Sequence, residues 1–204
     1  ASLGPSIRLW ILGSVLQAAA WVLYGLRDAI PDLLAIVVAN ALLSFSFARQ
    51  IDAIRAFVGR PRNRFVSDAP VVVIALLEFA FTYFVPNMRL RLLTVSAVFA
   101  LQILAAVAVL LDSSPPRPRS HMLTASAFLT LAAVLILRIA VEGFSADTLP
   151  SPLASTPIQS VVFAVAAFFP IVATLGFVLM CTDRLHQELE QQARIYPLTG
   201  ISNR

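Results

Sequence analysis

Glu78 stands nine residues into an apolar run, 69–86, and Gln17, Asn40 and Gln102 fall at similar depths in three other runs. A carboxylate surrounded by hydrocarbon is costly unless something pairs with it, so it is a functional candidate by default. Four polar side chains at one depth compose a polar centre able to hold a ligand, an ion or a proton. The same four equally serve as interhelical hydrogen bonds that hold a bundle together. A second group gathers near one set of run ends: Arg27, Asp28, Asp32, Tyr83, Arg89 and Arg91, with Arg138 and Glu142. With Trp21 and Tyr24 as lining, these would rim a mouth for a small anionic or lipid-like molecule. Read structurally, the aromatics and arginines anchor helix ends at a membrane interface, and Arg138 and Glu142, four apart, pair on one helix face.

The elements that must position these residues follow from composition. Of 204 residues, 59% are hydrophobic and only 13% charged, with a mean hydropathy of +0.85. A soluble domain of this size does not look like that, whereas a polytopic membrane protein does. A bilayer core of about 30 Å takes roughly 20 apolar residues per helix. Six such runs are present, near 7–25, 29–48, 69–86, 90–111, 121–141 and 157–181, and they predict an all-α bundle of six transmembrane helices, 1–181.

All fifteen basic residues are arginines. Arg8, Arg49, Arg55, Arg60, Arg62 and Arg64 fall on one side of such a bundle, together with Arg117, Arg119, Arg184, Arg194 and Arg204. The other side keeps Arg27, Arg89 and Arg91, with Arg138 inside a run. The positive-inside rule then places both ends of the chain in the cytoplasm. The connections on the outer side, Leu26 to Asp28, Pro86 to Arg89 and Glu142 to Thr156, are too short for an extracellular binding domain. Distributed this way, a net charge of +4 describes topology, and nucleic acid is not an expected partner.

Several chemistries lack their residues. Without lysine there is no retinal Schiff base, and His121 and His186 fall at or beyond the edge of the runs, poorly placed for haem or copper. Cys181 is the single cysteine, so no disulfide forms within one chain. Neither a hydrolytic constellation nor a glycine-rich phosphate loop occurs, so no catalytic residue, metal ligand or resident cofactor is assigned.

Two segments carry further pattern. Between Arg49 and Asp68, Ile51, Ile54, Phe57 and Val58 recur at helical spacing beside Arg49, Asp52 and Arg55, as in an amphipathic helix lying on an anionic leaflet; a solvated basic loop is the alternative. The Pro115-Pro116-Arg117-Pro118-Arg119 run is a stiff connector. Beyond the sixth run, Thr182, Leu185, Leu189, Gln192 and Tyr196 keep the alternating three and four spacing of a coiled-coil seam, with Glu188 and Glu190 outside it. A helix unbroken from Ile158 to Tyr196 would be roughly 58 Å long. Pro170 falls inside it and bends it as a hinge or as a fixed packing feature.

The last residues, Pro197-Leu198-Thr199-Gly200 and Asn203-Arg204, follow that seam directly. They resemble the D-x-L-T-G-L-x-N-R opening of the GGDEF diguanylate cyclase domain, although Tyr196 stands where that family commonly has aspartate and Ile195 where a small residue is common. The upstream runs, including Arg8 to Gly13, Ile36 to Leu43 and Gly59-Arg60-Pro61, look like the multi-helix input regions of such proteins. The resemblance implies a sensory membrane bundle, a signalling coiled-coil helix over 182–196 with Pro170, Leu185 and Leu189 in the transmitting role, and the start of a cyclase domain at 197–204. It further implies a homodimer in the bacterial cytoplasmic (inner) membrane. Its parent enzyme would join two GTP into cyclic di-GMP with magnesium, through residues outside this chain. Two alternatives stand beside it: a small-molecule transporter or channel-like bundle lined by Glu78 and its neighbours, and the input domain of a cyclic di-GMP phosphodiesterase carrying a degenerate GGDEF domain.

Overall fold

Each apolar run folds as one helix in the computed structural model, which describes residues 3–112, 119–144 and 157–195. The helices are α1 (Gly4–Gly25), α2 (Ala39–Phe57), α3 (Arg64–Tyr83), α4 (Met88–Leu111), α5 (Arg119–Phe144) and α6 (Pro157–Ile195). A π-helical segment, Leu33–Val38, leads directly into α2. No strand occurs among the described residues, and the architecture is an all-α bundle. Six helices are long and apolar enough to cross a bilayer, which makes the chain, on length and composition, a multi-pass membrane protein.

Helix ends are set by ordinary capping chemistry. Asn63 accepts from the Val66 amide at 3.3 Å and Asn87 from the Leu90 amide at 3.0 Å, starting α3 and α4. At the end of α2, Gly59 adopts φ +77°, and the Arg60 amide reaches back to the Arg55 carbonyl at 2.8 Å. This is a glycine C-cap, and Pro61 behind it prevents the helix from continuing.

α2 occupies the centre. It packs on α1, α3 and α4, while Phe47 meets Phe169 of α6 and Phe57 meets His121 of α5 and Phe177 of α6. Ile51 and Ile54 are fully buried. The outer helices bury one face each and leave Val15, Leu76, Phe168, Ile171 and Leu175 exposed, as lipid tails that are themselves apolar permit. The molecule has two distinct ends. One, the Arg27 end, carries the α1–α2 and α3–α4 connections; the other, the Arg60 end, carries the α2–α3 connection and the start of α1.

Two expectations change here. The second run does not stop at residue 48, and no separate surface helix follows it. α2 continues to Phe57 with Ile51, Ile54 and Phe57 turned into the core, and even Arg49 and Asp52 are only 5% and 2% exposed. Their charges are neutralised locally. Arg49 pairs with Asp52 at 3.2 Å and with Asp68 at 2.5 Å, Arg62 joins both aspartates at 2.8–2.9 Å, and Ser67 donates to Asp52 at 2.6 Å. The third helix begins at Arg64 rather than 69 and ends at Tyr83. Glu78 therefore lies five residues, about 7.5 Å at a rise of 1.5 Å, from the Arg27 end of α3, rather than at mid-depth.

α6 is one helix of 39 residues, about 58 Å long, and it runs through Pro170. Against α1 it stacks Phe177 on Trp10 with ring centroids 4.1 Å apart, and Trp10 Nε1 donates to Thr174 at 3.2 Å. At the Arg60 end Ser120 donates to Asp183 at 2.6 Å, and Arg184 donates to the Phe57 carbonyl at 2.8 Å. Beyond that point Leu185 and Leu189 are 49% and 62% exposed. The proline run Pro115 to Pro118, the prolines at 150 and 152, Tyr196 and the segment 197–204 lie outside the described residues.

α6 lies close against α5 at Gly176. A methyl group there would meet Thr124 Oγ1 at 2.5 Å and the Thr124 backbone at 3.1 Å, whereas one at Gly143 would meet nothing within 4 Å. Small residues allow helix backbones this proximity. Gly176→Ala is therefore expected to destabilise the bundle by about 1–3 kcal/mol, lowering the thermal unfolding midpoint in lipid nanodiscs, while Gly143→Ala leaves that midpoint in place.

Candidate functional site

At the Arg27 end the six helices enclose a cavity of about 420 Å³. Its deep wall is apolar, with Leu43 and Phe47 from α2, Val95 and Phe99 from α4, and Leu131 and Leu135 from α5. Edge-to-face packing fixes Phe47 against Phe99, centroids 5.3 Å apart, so this wall is preformed. α6 adds Gln159, Val162, Phe163 and Ala166 from its first three turns. The remaining lining is polar, and nearly all of it comes from residues within two turns of a helix end.

The polar lining is organised by Asn40. The π-helical segment brings the Ile36 carbonyl within 2.9 Å of Asn40 Nδ2, which also donates to Glu78 Oε2 at 3.1 Å. The Tyr24 hydroxyl donates to Asn40 Oδ1. One amide thus ties α1, the π turn and α3 together. Arg91 Nε lies 3.7 Å from Glu78 Oε2, close enough for charge attraction but too long for a hydrogen bond. Glu78, 1% exposed, keeps Oε1 without a hydrogen-bond partner among the described residues, and Nε of Arg91 and of the 6% exposed Arg138 also have none.

Charge around the cavity is unbalanced. Among the described residues, Arg27, Arg91 and Arg138 line it against the single carboxylate of Glu78. Burial holds Arg27 below its ordinary pKa, and the neighbouring Arg91 cation pushes it the same way; Asp32 and Asp28, both solvent-exposed, oppose the shift. Glu142 is buried one turn beyond Arg138, yet the two form no ion pair within 4.0 Å among the described residues. Instead the Glu142 and Gly143 carbonyls accept from Arg89 at 2.8 and 2.6 Å, tying α4 to α5.

Glu78, Asn40, Gln17, Arg138, Arg27 and Trp21 all line this one cavity. Tyr83 and Gln102 do not. Tyr83 is half-exposed at the end of α3 and packs on Phe79. Gln102 closes a two-bond clasp with Ser44, accepting from its hydroxyl at 2.9 Å and donating to its carbonyl at 3.1 Å. Gln17 accepts from Gln50 at 3.2 Å. Of the four residues expected to form one polar centre, Glu78 bonds Asn40, Gln17 bonds Gln50 and Gln102 bonds Ser44, and of the four only Gln102 lies off the cavity. Ser44, Gln50 and the Arg49–Asp52–Arg62–Asp68 cluster are the polar residues that the apolar runs alone did not single out. Their signal is present nonetheless: α2 carries Asn40, Ser44, Ser46, Arg49, Gln50 and Asp52 around all its faces, as a helix partnered on every side would.

The arrangement is suited to binding: a preformed apolar recess beside an unbalanced cationic rim. Replacing Asn40 with leucine would remove the donor to Glu78 and the acceptor of Tyr24 together. Leaving a buried polar group unsatisfied costs about 1–3 kcal/mol, so Asn40→Leu is expected to lower the unfolding midpoint, and Asn40→Leu with Glu78→Leu is expected to recover part of the loss. A fully additive double variant would show that the two side chains do not depend on one another.

Comparison with protein-family models, with curated proteins and with solved structures returned no match.

Proposed function

We propose that the chain is the transmembrane sensory and dimerisation module of a diguanylate cyclase in the bacterial cytoplasmic membrane, with the Arg60 end and both termini on the cytoplasmic side. The observation that carries this reading is the continuity of α6, which lines the cavity with Gln159 to Ala166 and runs on past the Arg60 end as one helix. Occupancy of the cavity and the position of the helix that leaves the bundle are therefore mechanically linked. The arginine asymmetry supports the orientation: Arg49, Arg55, Arg60, Arg62 and Arg64 cluster at the Arg60 end, against Arg27, Arg89 and Arg91 at the other.

Past Arg184 the helix keeps Leu185 and Leu189 exposed in the register of a two-stranded seam. The Pro197-Leu198-Thr199-Gly200 and Asn203-Arg204 signature follows within a few residues. A cyclase of this class joins two GTP held by two domains, so the geometry of a dimer seam is a natural point of control. Magnesium and GTP belong to the catalytic domain. The bundle supplies anchoring, pairing and the input.

The test is cyclic di-GMP formation from GTP and magnesium by the full-length parent in nanodiscs, beside the same protein carrying Leu185→Pro. Proline in a helix interior costs about 3 kcal/mol and breaks the seam, so product is expected from the parent and an altered rate from the variant. Leu185→Cys and Leu189→Cys, in a Cys181→Ala background, are expected to cross-link between subunits in membranes. No product and no cross-link would overturn the reading.

A further inference from the structure

The unbalanced lining of the cavity says what kind of molecule fits it. We infer that it binds an amphiphile with one anionic head, a carboxylate on a medium-length aliphatic or an aromatic body. The head sits between Arg91 and Arg138, and the body lies on Leu43, Phe47, Phe99 and Leu131. The inference rests on the sensory reading for what occupancy does, and on the cavity alone for what occupies it.

Three features converge on this class. Arg91 and Arg138 line the cavity from α4 and α5, and neither forms a hydrogen-bonded ion pair with a carboxylate among the described residues. A guanidinium presents donors in a planar fork that fits a carboxylate bidentately. Next, Glu78 is the one carboxylate in the lining among the described residues, against three arginines. It is already held by Asn40 and stands 3.7 Å from Arg91, so the lining keeps room for one further negative charge. Asp28 and Asp32 near Arg27 are solvent-exposed and Glu142 lies a turn beyond Arg138, and none of the three lines the cavity. The volume of about 420 Å³ is near the lower end of small-molecule sites, roughly 300–1,000 Å³. A neutral hydrocarbon would leave the rim unanswered, and a small inorganic anion would leave the apolar wall empty.

The same head chemistry can arrive as a free acid from solution or as an anionic lipid from the bilayer. Binding is read from Trp21, which lines the cavity, in a Trp10→Phe background, with the chain in phosphatidylcholine nanodiscs and empty discs as the partition control. Decanoate is expected to change the Trp21 emission saturably, and decanol, its neutral counterpart, to bind about tenfold more weakly or not at all. Arg91→Gln and Arg138→Gln are each expected to weaken decanoate by about tenfold. Glu78→Gln, which removes the competing carboxylate, is expected to tighten it a few-fold. That opposite sign separates charge recognition from a general loss of packing, and it decides the matter should the arginine variants fail to fold by circular dichroism. Phosphatidylglycerol in the discs that competes with decanoate would identify the bilayer as a source of the head group; absence of competition would identify a free acid.

Decanol binding as tightly as decanoate, no saturable change, or Glu78→Gln leaving affinity unchanged or weaker would overturn the inference. None of these readings uses cyclase activity, so a chain that binds decanoate beside a parent that makes no cyclic di-GMP would overturn the cyclase assignment and leave the ligand class standing.

Discussion

Hydrocarbon offers no hydrogen bonds, so every polar atom placed inside the bundle must find its partner within the protein or be left unsatisfied at a cost. This constraint makes α2 the hub. Its polar side chains are answered by different neighbours in turn: Asn40 by Tyr24 and Glu78, Ser44 by Gln102, Gln50 by Gln17, and Asp52 by Ser67 and Arg62. Helices α1, α3 and α4 are each held to it by at least one such bond as well as by apolar packing. Because lipid is as apolar as a leucine side chain, these bonds contribute specificity that burial alone does not provide.

The two ends satisfy the constraint differently. At the Arg60 end, Arg49 and Arg62 pair with Asp52 and Asp68 and Ser67 donates to Asp52, so the charges of that cluster cancel within a packed structural clasp. At the Arg27 end, three arginines face one carboxylate among the described residues across a cavity. Single buried polar atoms without a hydrogen-bond partner among the described residues occur at both, Arg49 Nε at the one and Glu78 Oε1 at the other. What distinguishes the Arg27 end is charge imbalance beside open volume.

Much of this was legible in the residues. Six apolar runs gave the helices, and Glu78, Asn40, Gln17, Arg138, Arg27 and Trp21, singled out for residue type and depth, share one cavity. Depth was the weak link. Hydropathy marks where a run becomes apolar, whereas Asn63 and Gly59 mark where helices begin and end, and α3 starts five residues before its apolar run. That offset moved Glu78 towards the Arg27 end and away from Gln102. The polar stretch from Arg49 to Asp52 read as surface because its charges are visible in the sequence, while the aspartate and arginine that neutralise them lie on the following turn and helix. Tyr83 lies off the cavity lining for a related reason: an aromatic at a helix end faces cavity or lipid according to helix rotation, which residue type does not encode.

The close approach of Gly176 to Thr124 has a mechanical meaning. The same helix is also held at Phe169, Thr174, Phe177, Asp183 and Arg184, so its grip is a collar that begins six residues beyond Phe163 in the cavity wall and ends five residues short of Leu189 in the exposed seam. At 1.5 Å per residue, the lengths on either side of the collar are about 9 Å and about 7.5 Å. A rod held in a collar turns about its axis or slides along it more readily than it swings.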